Sequence, residues 1–388
     1  MNCVNMLIKP VSGLCNLRCR YCFYDDVTTH RAKVNMGVMS EDMLELVVQE
    51  AFAAVHPGGR VSFAFQGGEP TLAGLNFFRK FISMEEKLRP SYVLIEHAIQ
   101  TNGILLDEEW ASFLKKNHFL VGLSLDGMKE LHDLNRVDFS NNGTHSKVVR
   151  ALKLLQKYNV DTNILCVITG QCARHYKEVY QTLKQSGCRY LQFIPCLDPF
   201  DSERGGMPFS LKPEAYAQFL CGLFDLWYQD WKNNNYVSIR LFDDYVHLLV
   251  GNPPGTCATI GQCGSYFVIE GNGAVYPCDF YVLDRWRMGT LGEKSLNEMR
   301  RSPAAIAFQE ENKLKPQACG GCQWMPLCNG GCKRDRWLVG GAMKNYYCDA
   351  FQKFFTFAGS RLRKIALVER SMLNALEMKD DAVKNTYT

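Results

Sequence analysis

Three cysteines within eight residues, Cys15, Cys19 and Cys22, carry the most distinctive chemistry in the chain. Thiolates bind soft metals, and four of them ordinarily close an iron–sulfur cube. The C-x3-C-x2-C spacing supplies only three, and the next cysteine is Cys166. A cube held by three thiolates keeps one iron open, and an open iron can hold a small molecule. The stretch therefore reads as a reactive cluster site rather than a structural one. On spacing alone, a zinc knuckle or three loop thiols fit as well, because zinc also takes thiolates.

A second cysteine field follows Pro254. Cys257 and Cys263 come first. Residues 266–270 and 274–278 then read as two short strands around Gly271-Asn272-Gly273, a hairpin signal that ends at Cys278. Cys319-x2-Cys322-x5-Cys328-x3-Cys332 and Cys348 complete the field. These eight cysteines suffice for two sites of four thiolates each. Two structural zinc sites remain the alternative, since CxxC pairs suit zinc. The other six, Cys3, Cys166, Cys172, Cys188, Cys196 and Cys221, are expected as small buried hydrophobes.

The whole chain sets the frame. Its 388 residues suggest two or three domains, although one barrel can take most of that length. Apolar and charged fractions of 47% and 22% are those of an ordinary globular protein. A net charge of +4 with no long run of one sign argues for neither nucleic acid nor membrane as a partner. No export signal is expected, so the cytoplasm is the expected compartment. Seventeen cysteines there, an odd number, point to metal ligation rather than disulfides.

The elements that must position this chemistry alternate. Apolar runs at 6–11, 60–66, 92–100, 119–125, 161–168 and 189–195 predict strands. Amphipathic stretches at 40–55, 75–88, 107–116, 144–158 and 174–186 predict helices between them. Ser40 ahead of Glu41 and Asp42 is an expected N-cap. The pattern is α/β, with six βα units forming a partial (β/α)6 TIM-type barrel, whose ligands would sit at the carboxyl ends of the strands. Five strand ends carry suitable residues: the Cys15 loop, Gly67-Gly68-Glu69-Pro70, Gln100-Thr101-Asn102-Gly103, Ser124-Leu125-Asp126-Gly127 and Leu197-Asp198-Pro199. Residues 219–231 predict an amphipathic core helix, 237–250 a connecting helix and 351–376 a closing helix before a polar tail at 378–388. His132, His175 and His247 stand alone and are expected to be ordinary histidines. The domains are expected at 1–235 for the barrel and 236–350 for the small cysteine-rich part, with 351–388 as helix and tail.

The stretches Cys-Asn-Leu-Arg-Cys-Arg-Tyr-Cys-Phe-Tyr (15–24), Phe-Gln-Gly-Gly-Glu-Pro-Thr-Leu (65–72), Gln-Thr-Asn-Gly (100–103) and Tyr-Pro-Cys-Asp-Phe-Tyr (276–281) resemble the radical S-adenosylmethionine (SAM) enzymes. The later field, C-x9-G-x4-C … C-x2-C-x5-C-x3-C … C, is similar to their SPASM extension. Together they resemble the anaerobic sulfatase-maturating enzymes over about residues 5–375. The resemblance implies three [4Fe–4S] clusters and SAM. Cys15, Cys19 and Cys22 would hold the first cluster. Cys257, Cys263, Cys278 and Cys332 would hold one auxiliary cluster, and Cys319, Cys322, Cys328 and Cys348 the other. Tyr21, Gly68, Ser124, Arg136 and Leu197 would contact SAM, and Asp279 would be the proton acceptor. The implied reaction is oxidation of a cysteine or serine, in a Cys/Ser-x-Pro-x-Arg segment of a sulfatase, to Cα-formylglycine. The implied partners are that segment and an electron donor such as flavodoxin or ferredoxin. Two other readings stand beside it. A related SPASM enzyme could modify another ribosomal peptide, although a first strand near residue 6 leaves no N-terminal recognition domain expected. A zinc and thiol protein without enzymatic activity is the second.

Overall fold

A computed structural model describes residues 1–385 in their secondary structure and the side chains of residues 1–371. Residues 386–388, the end of the expected polar tail, lie outside the described ones. The chain forms two compact units. The first comprises Met1–Leu211 with Gln262–Leu314, and the second Lys212–Gly261 with the chain from Lys315 onward. These units cut the chain elsewhere than a linear division at 235 and 350.

Six parallel strands open the first unit: β1 (Cys3–Ile8), β2 (Arg60–Phe65), β3 (Leu94–Thr101), β4 (Phe119–Ser124), β5 (Thr162–Ile168) and β6 (Tyr190–Pro195). Each pairs in parallel with the next, as a partial (β/α)6 barrel requires. The helices between them have local causes. Glu41–Ala54 begins where the Ser40 side chain accepts from the Met43 N–H at 3.2 Å. Leu75–Leu88 buries Phe78, Phe81, Ile82 and Glu85, one helical face at i, i+3, i+4 and i+7. Phe78 and Phe81 pack on Phe65 with ring centroids 4.9 Å apart in each pair.

Three differences from the sequence reading stand out. The helix expected at 174–186 is two pieces, Gly170–Arg174 and Tyr176–Gln185. Thr169 caps the first by accepting from the Cys172 N–H. Short helices at Phe23–Thr29 and Lys129–Asn135 were not expected. The hairpin at 266–278 joins the barrel sheet. Its first strand, β8 (Phe267–Ile269), pairs in parallel with β1, and β9 (Ala274–Tyr276) and β10 (Gly289–Thr290) continue antiparallel. The strand β7 (Ser238–Ile239) belongs to the second unit.

In the second unit, helices Pro213–Lys232, Arg240–Val250 and Cys348–Asn385 share an aromatic core. Phe354 stacks on Phe242 at 5.6 Å and meets Phe224 edge-on at 5.7 Å. The predicted tail from 378 onward continues that last helix as far as Asn385. A small hairpin, β11 (Arg336–Val339) and β12 (Ala342–Asn345), completes the unit. Among the described residues no helix is long and apolar enough to cross a membrane.

Candidate active site

The cysteine loop follows β1 and is held from below by the turn after β2. The Gly68 N–H donates to Ser12 O at 2.9 Å and the Glu69 N–H to Leu14 O at 2.8 Å. A Cβ on Gly68 would lie 1.9 Å from Leu14 O, so only glycine lets the two turns meet. Gly68 thus packs against the loop that carries Cys15. The Glu69 carboxylate is buried and accepts from Thr71 N–H (3.1 Å), Thr71 Oγ1 (2.7 Å), Thr101 Oγ1 (2.7 Å) and Asn102 N–H (2.7 Å). Burial pushes that carboxyl up and these bonds pull it back. Asn102 in turn donates to Asn16 Oδ1 at 2.7 Å and reaches Cys15 Sγ at 3.9 Å. Strands β2 and β3 therefore fix the loop through side chains that accept or donate at nearly every polar atom.

The thiols oppose one another's ionisation. Burial pushes Cys15 up to about 11, with Cys22 adding to the rise, and pushes Cys19 up to about 12 with Cys22 and Cys15 contributing. In the second unit burial pushes Cys328 up to about 11, and Cys319, Cys348 and Cys322 raise it further. Thiols grouped so that each penalises its neighbours as thiolates are a donor set that a bound metal would relieve. Cys263 and Cys278 lie in the first unit, and Cys257 and Cys332 in the second. None of the seventeen cysteines forms a disulfide. Four of the six expected as buried hydrophobes are buried, whereas Cys3 is exposed and Cys221 half-buried. Cys3 fails that expectation because it begins β1 on its outward face.

At the end of β4 two of the expected SAM contacts, Tyr21 and Arg136, meet on a residue that the sequence reading did not single out, Asp126. Its carboxylate accepts from the Tyr21 hydroxyl, from Arg136 Nε at 2.9 Å and Nη2 at 3.2 Å, and from the Val167 N–H at 3.0 Å. Burial alone would raise this carboxyl, but the guanidinium overrides it and holds it below the usual range. Arg136 lies over the Tyr21 ring at 5.4 Å. A guanidinium has five N–H donors. Two go to Asp126, so donors remain for a ligand carboxylate. Ser124 Oγ accepts from Gln100 Nε2 at 3.0 Å, and Leu197 is half-buried just beyond β6. Asp198 closes its own loop, accepting from Ser210 Oγ and from the Gly205 N–H at 2.9 Å.

His132 supports the same corner. The Asp126 N–H donates to its Nδ1 at 3.3 Å, so Nε2 carries the proton and donates to Thr144 Oγ1 at 3.1 Å. Thr144 passes its own hydroxyl hydrogen to Arg136 O at 2.9 Å. Burial drives His132 down to about 3, so it is a neutral strut. His175 and His247 are exposed.

Asp279 lies beside the end of β1. It is buried at 5% exposure, and its Oδ1 sits 2.5 Å from the Nζ of the fully buried Lys9. That contact is a buried ion pair. Gln66 Nε2 donates to Oδ2 at 2.7 Å. Lys9 Nζ also stands 3.6 Å above the Tyr24 ring. The Tyr24 hydroxyl donates to Glu270 Oε1, which pairs with Arg31 Nη1 at 3.0 Å. Lys9, Arg31 and Glu270 escaped the sequence reading, and Tyr24 and Gln66, though inside quoted motifs, were given no role. For Lys9 and Glu270 the signal was a charge at the end of an apolar strand, after Met6-Leu7-Ile8 and after Phe267-Val268-Ile269.

The Radical SAM superfamily model matches residues 10–183, and the SPASM iron-sulfur cluster-binding domain model matches residues 257–323. A cysteine-type anaerobic sulfatase-maturating enzyme of Clostridium novyi is 43% identical, over 94% of this chain and 98% of the relative. A serine-type anaerobic sulfatase-maturating enzyme of Bacteroides thetaiotaomicron is 29% identical, over 98% and 97%. The solved structure of native anSMEcpe with bound AdoMet and Cp18Cys peptide superimposes with a TM-score of 0.89 at 44% identity, covering 94% of this chain and 99% of that one. The two domains bring iron–sulfur clusters and SAM as cofactors. A three-thiolate loop, a SPASM cysteine field and identity along nearly the full length place the chain among the anaerobic sulfatase-maturating enzymes, a family of radical SAM enzymes.

Proposed function

We propose that the protein oxidises a cysteine side chain in a Cys-x-Pro-x-Arg segment of a sulfatase to Cα-formylglycine. The observation that carries this reading is full-length identity of 43% to a cysteine-type enzyme, against 29% to a serine-type one. When bound, the cofactors supply a 5′-deoxyadenosyl radical that takes hydrogen from the target Cβ and a route by which the second electron leaves. Cys15, Cys19 and Cys22 hold the first cluster. Cys257, Cys263, Cys278 and Cys332 hold one auxiliary cluster, and Cys319, Cys322, Cys328 and Cys348 the other. Tyr21, Gly68, Ser124, Arg136 and Leu197 bind SAM, with Asp126 orienting Arg136 and Tyr21.

Asp279 takes the thiol proton of the substrate, and the resulting thioaldehyde exchanges its sulfur with water, giving the aldehyde and releasing hydrogen sulfide. A base must stand within hydrogen-bond reach and keep an oxygen able to accept. Gln66 donates to Oδ2 and Lys9 pairs with Oδ1, two partners for a carboxylate that has about four acceptor sites. The electron donor is a flavodoxin or ferredoxin, and the cytoplasm is the working compartment.

The test is anaerobic incubation of iron-reconstituted protein with SAM, a reductant and two short peptides, one Cys-type and one Ser-type, read by mass spectrometry. An aldehyde product from the Cys peptide is expected, with less from the Ser peptide. Deoxyadenosine without any aldehyde would move the reading to another peptide modification.

A further inference from the structure

The cysteine loop shows the solvent a face that the chemistry of the cofactors leaves unused. Residues 18–20 run antiparallel to 135–137. The Arg18 N–H donates to Val137 O at 2.8 Å and the Arg20 N–H to Asn135 O at 2.9 Å. Side chains alternate along this edge. Leu17 is buried and Cys19 half-buried on the inner side, while Arg18 and Arg20 are exposed on the outer side. Neither guanidinium has a hydrogen bond or ion pair among the described residues. The partner edge ends in exposed apolar side chains, Leu134 at 41% and Phe139 at 69%. Phe139 is not on a loose tip. Asp138 Oδ1 accepts from the Ser140 and Asn142 N–H groups at 3.0 and 2.8 Å, which fixes the turn and uses that carboxylate internally.

We propose that Arg18, Arg20, Leu134 and Phe139 form the docking surface for a small acidic one-electron carrier protein. The inference rests on the reading of Cys15, Cys19 and Cys22 as ligands of the SAM cluster. In the step it serves, the carrier loses one electron and the cluster gains it, with no bond made or broken between the proteins. Electron transfer between proteins weakens steeply with distance, so the donor must approach the surface nearest the cluster. Arg18 and Arg20 are the exposed residues on either side of Cys19, so this edge is the outer side of the loop that carries the three cysteines. Two unpaired guanidinium groups steer an acidic partner, and an exposed aromatic beside them supplies an anchor. Carrier complexes of this kind are small and salt-sensitive.

The test compares the holoenzyme with its Arg18→Glu/Arg20→Glu variant, using a flavodoxin as the carrier. Calorimetric titration of the two proteins should give a Kd raised by about tenfold or more in the variant, and a wild-type Kd that weakens with added salt. Flavodoxin-driven formation of deoxyadenosine should fall in parallel, while dithionite-driven formation stays unchanged, because a small reductant needs no docking surface. Phe139→Ala should weaken flavodoxin binding without altering its salt dependence. Equal Kd values for wild type and the Glu variant would overturn the proposal. So would a variant whose only defect is a raised KM for the substrate peptide, which would assign the surface to the peptide. Loss of dithionite-driven cleavage in the unmodified holoenzyme would instead refute the cluster reading itself.

Discussion

Two buried carboxylates in the first unit, Asp126 and Asp279, look alike in composition and differ in saturation. Each has one cation and one tyrosine nearby. Asp126 accepts from Tyr21, twice from Arg136 and from the Val167 N–H. Its acceptor capacity is taken up, so it can position neighbours but has little room to take a proton. Asp279 accepts one hydrogen bond, from Gln66, and forms one ion pair, with Lys9, so its oxygens keep lone pairs that those of Asp126 do not. A saturated carboxylate builds a site, and an unsaturated one is available to react.

The largest expected effect that bears on this contrast is on Asp126. Asp126→Asn removes the charge partner of buried Arg136, and breaking such a pair typically costs about 3–5 kcal/mol. Denaturant unfolding should show that loss, together with weaker SAM binding. Unchanged stability would mean that Asp126 is not the strut described here. Lys9→Met comes next. It leaves Asp279 without its ion pair, and misplacing a reacting group can lower turnover by about 10²-fold. The informative quantity is formylglycine formed per deoxyadenosine released, which should drop, whereas general unfolding would lower both together. The smallest effect concerns His132. Its folded value of about 3 lies below the ordinary histidine value of 6.5, so the unfolded chain binds more protons between those pH values. Stability from this residue is complete above pH 6.5 and is lost as pH falls toward 3, with a slope of at most about 1.4 kcal/mol per pH unit. His132→Gln should flatten the stability profile in that window. A parallel profile would mean that the imidazole titrates freely.

The sequence made most of the scaffold legible, and the reasons are local. Helix Leu75–Leu88 falls where its apolar period predicts it, and Ser40 caps as its type suggests. Phe23–Thr29 was not legible, because seven residues with no side-chain cap give too little period to read. The joining of β8 to β1 links residues 267–269 to 6–8, and nothing in either stretch announces a partner so distant. Within the site, the cysteine spacings and the motif residues could be read directly. Gly68 was read as a SAM contact, and its missing side chain also makes room for the Leu14 backbone, which only the folded turns reveal. Asp126 lay inside a recognised turn but looked like any turn aspartate. Lys9 and Glu270 acquire meaning only when the ends of β1 and β8 come side by side, which is a property of the sheet rather than of either strand.

The most direct measurement is on Asp279→Asn, with deoxyadenosine and peptide product counted in the same anaerobic reaction. The amide keeps the shape and cannot serve as a base. The expected result is deoxyadenosine formation close to that of the unaltered protein with formylglycine reduced by about 10²–10⁴-fold. Formylglycine at the unaltered yield would contradict the account, because the unsaturated carboxylate would then have no part in the reaction.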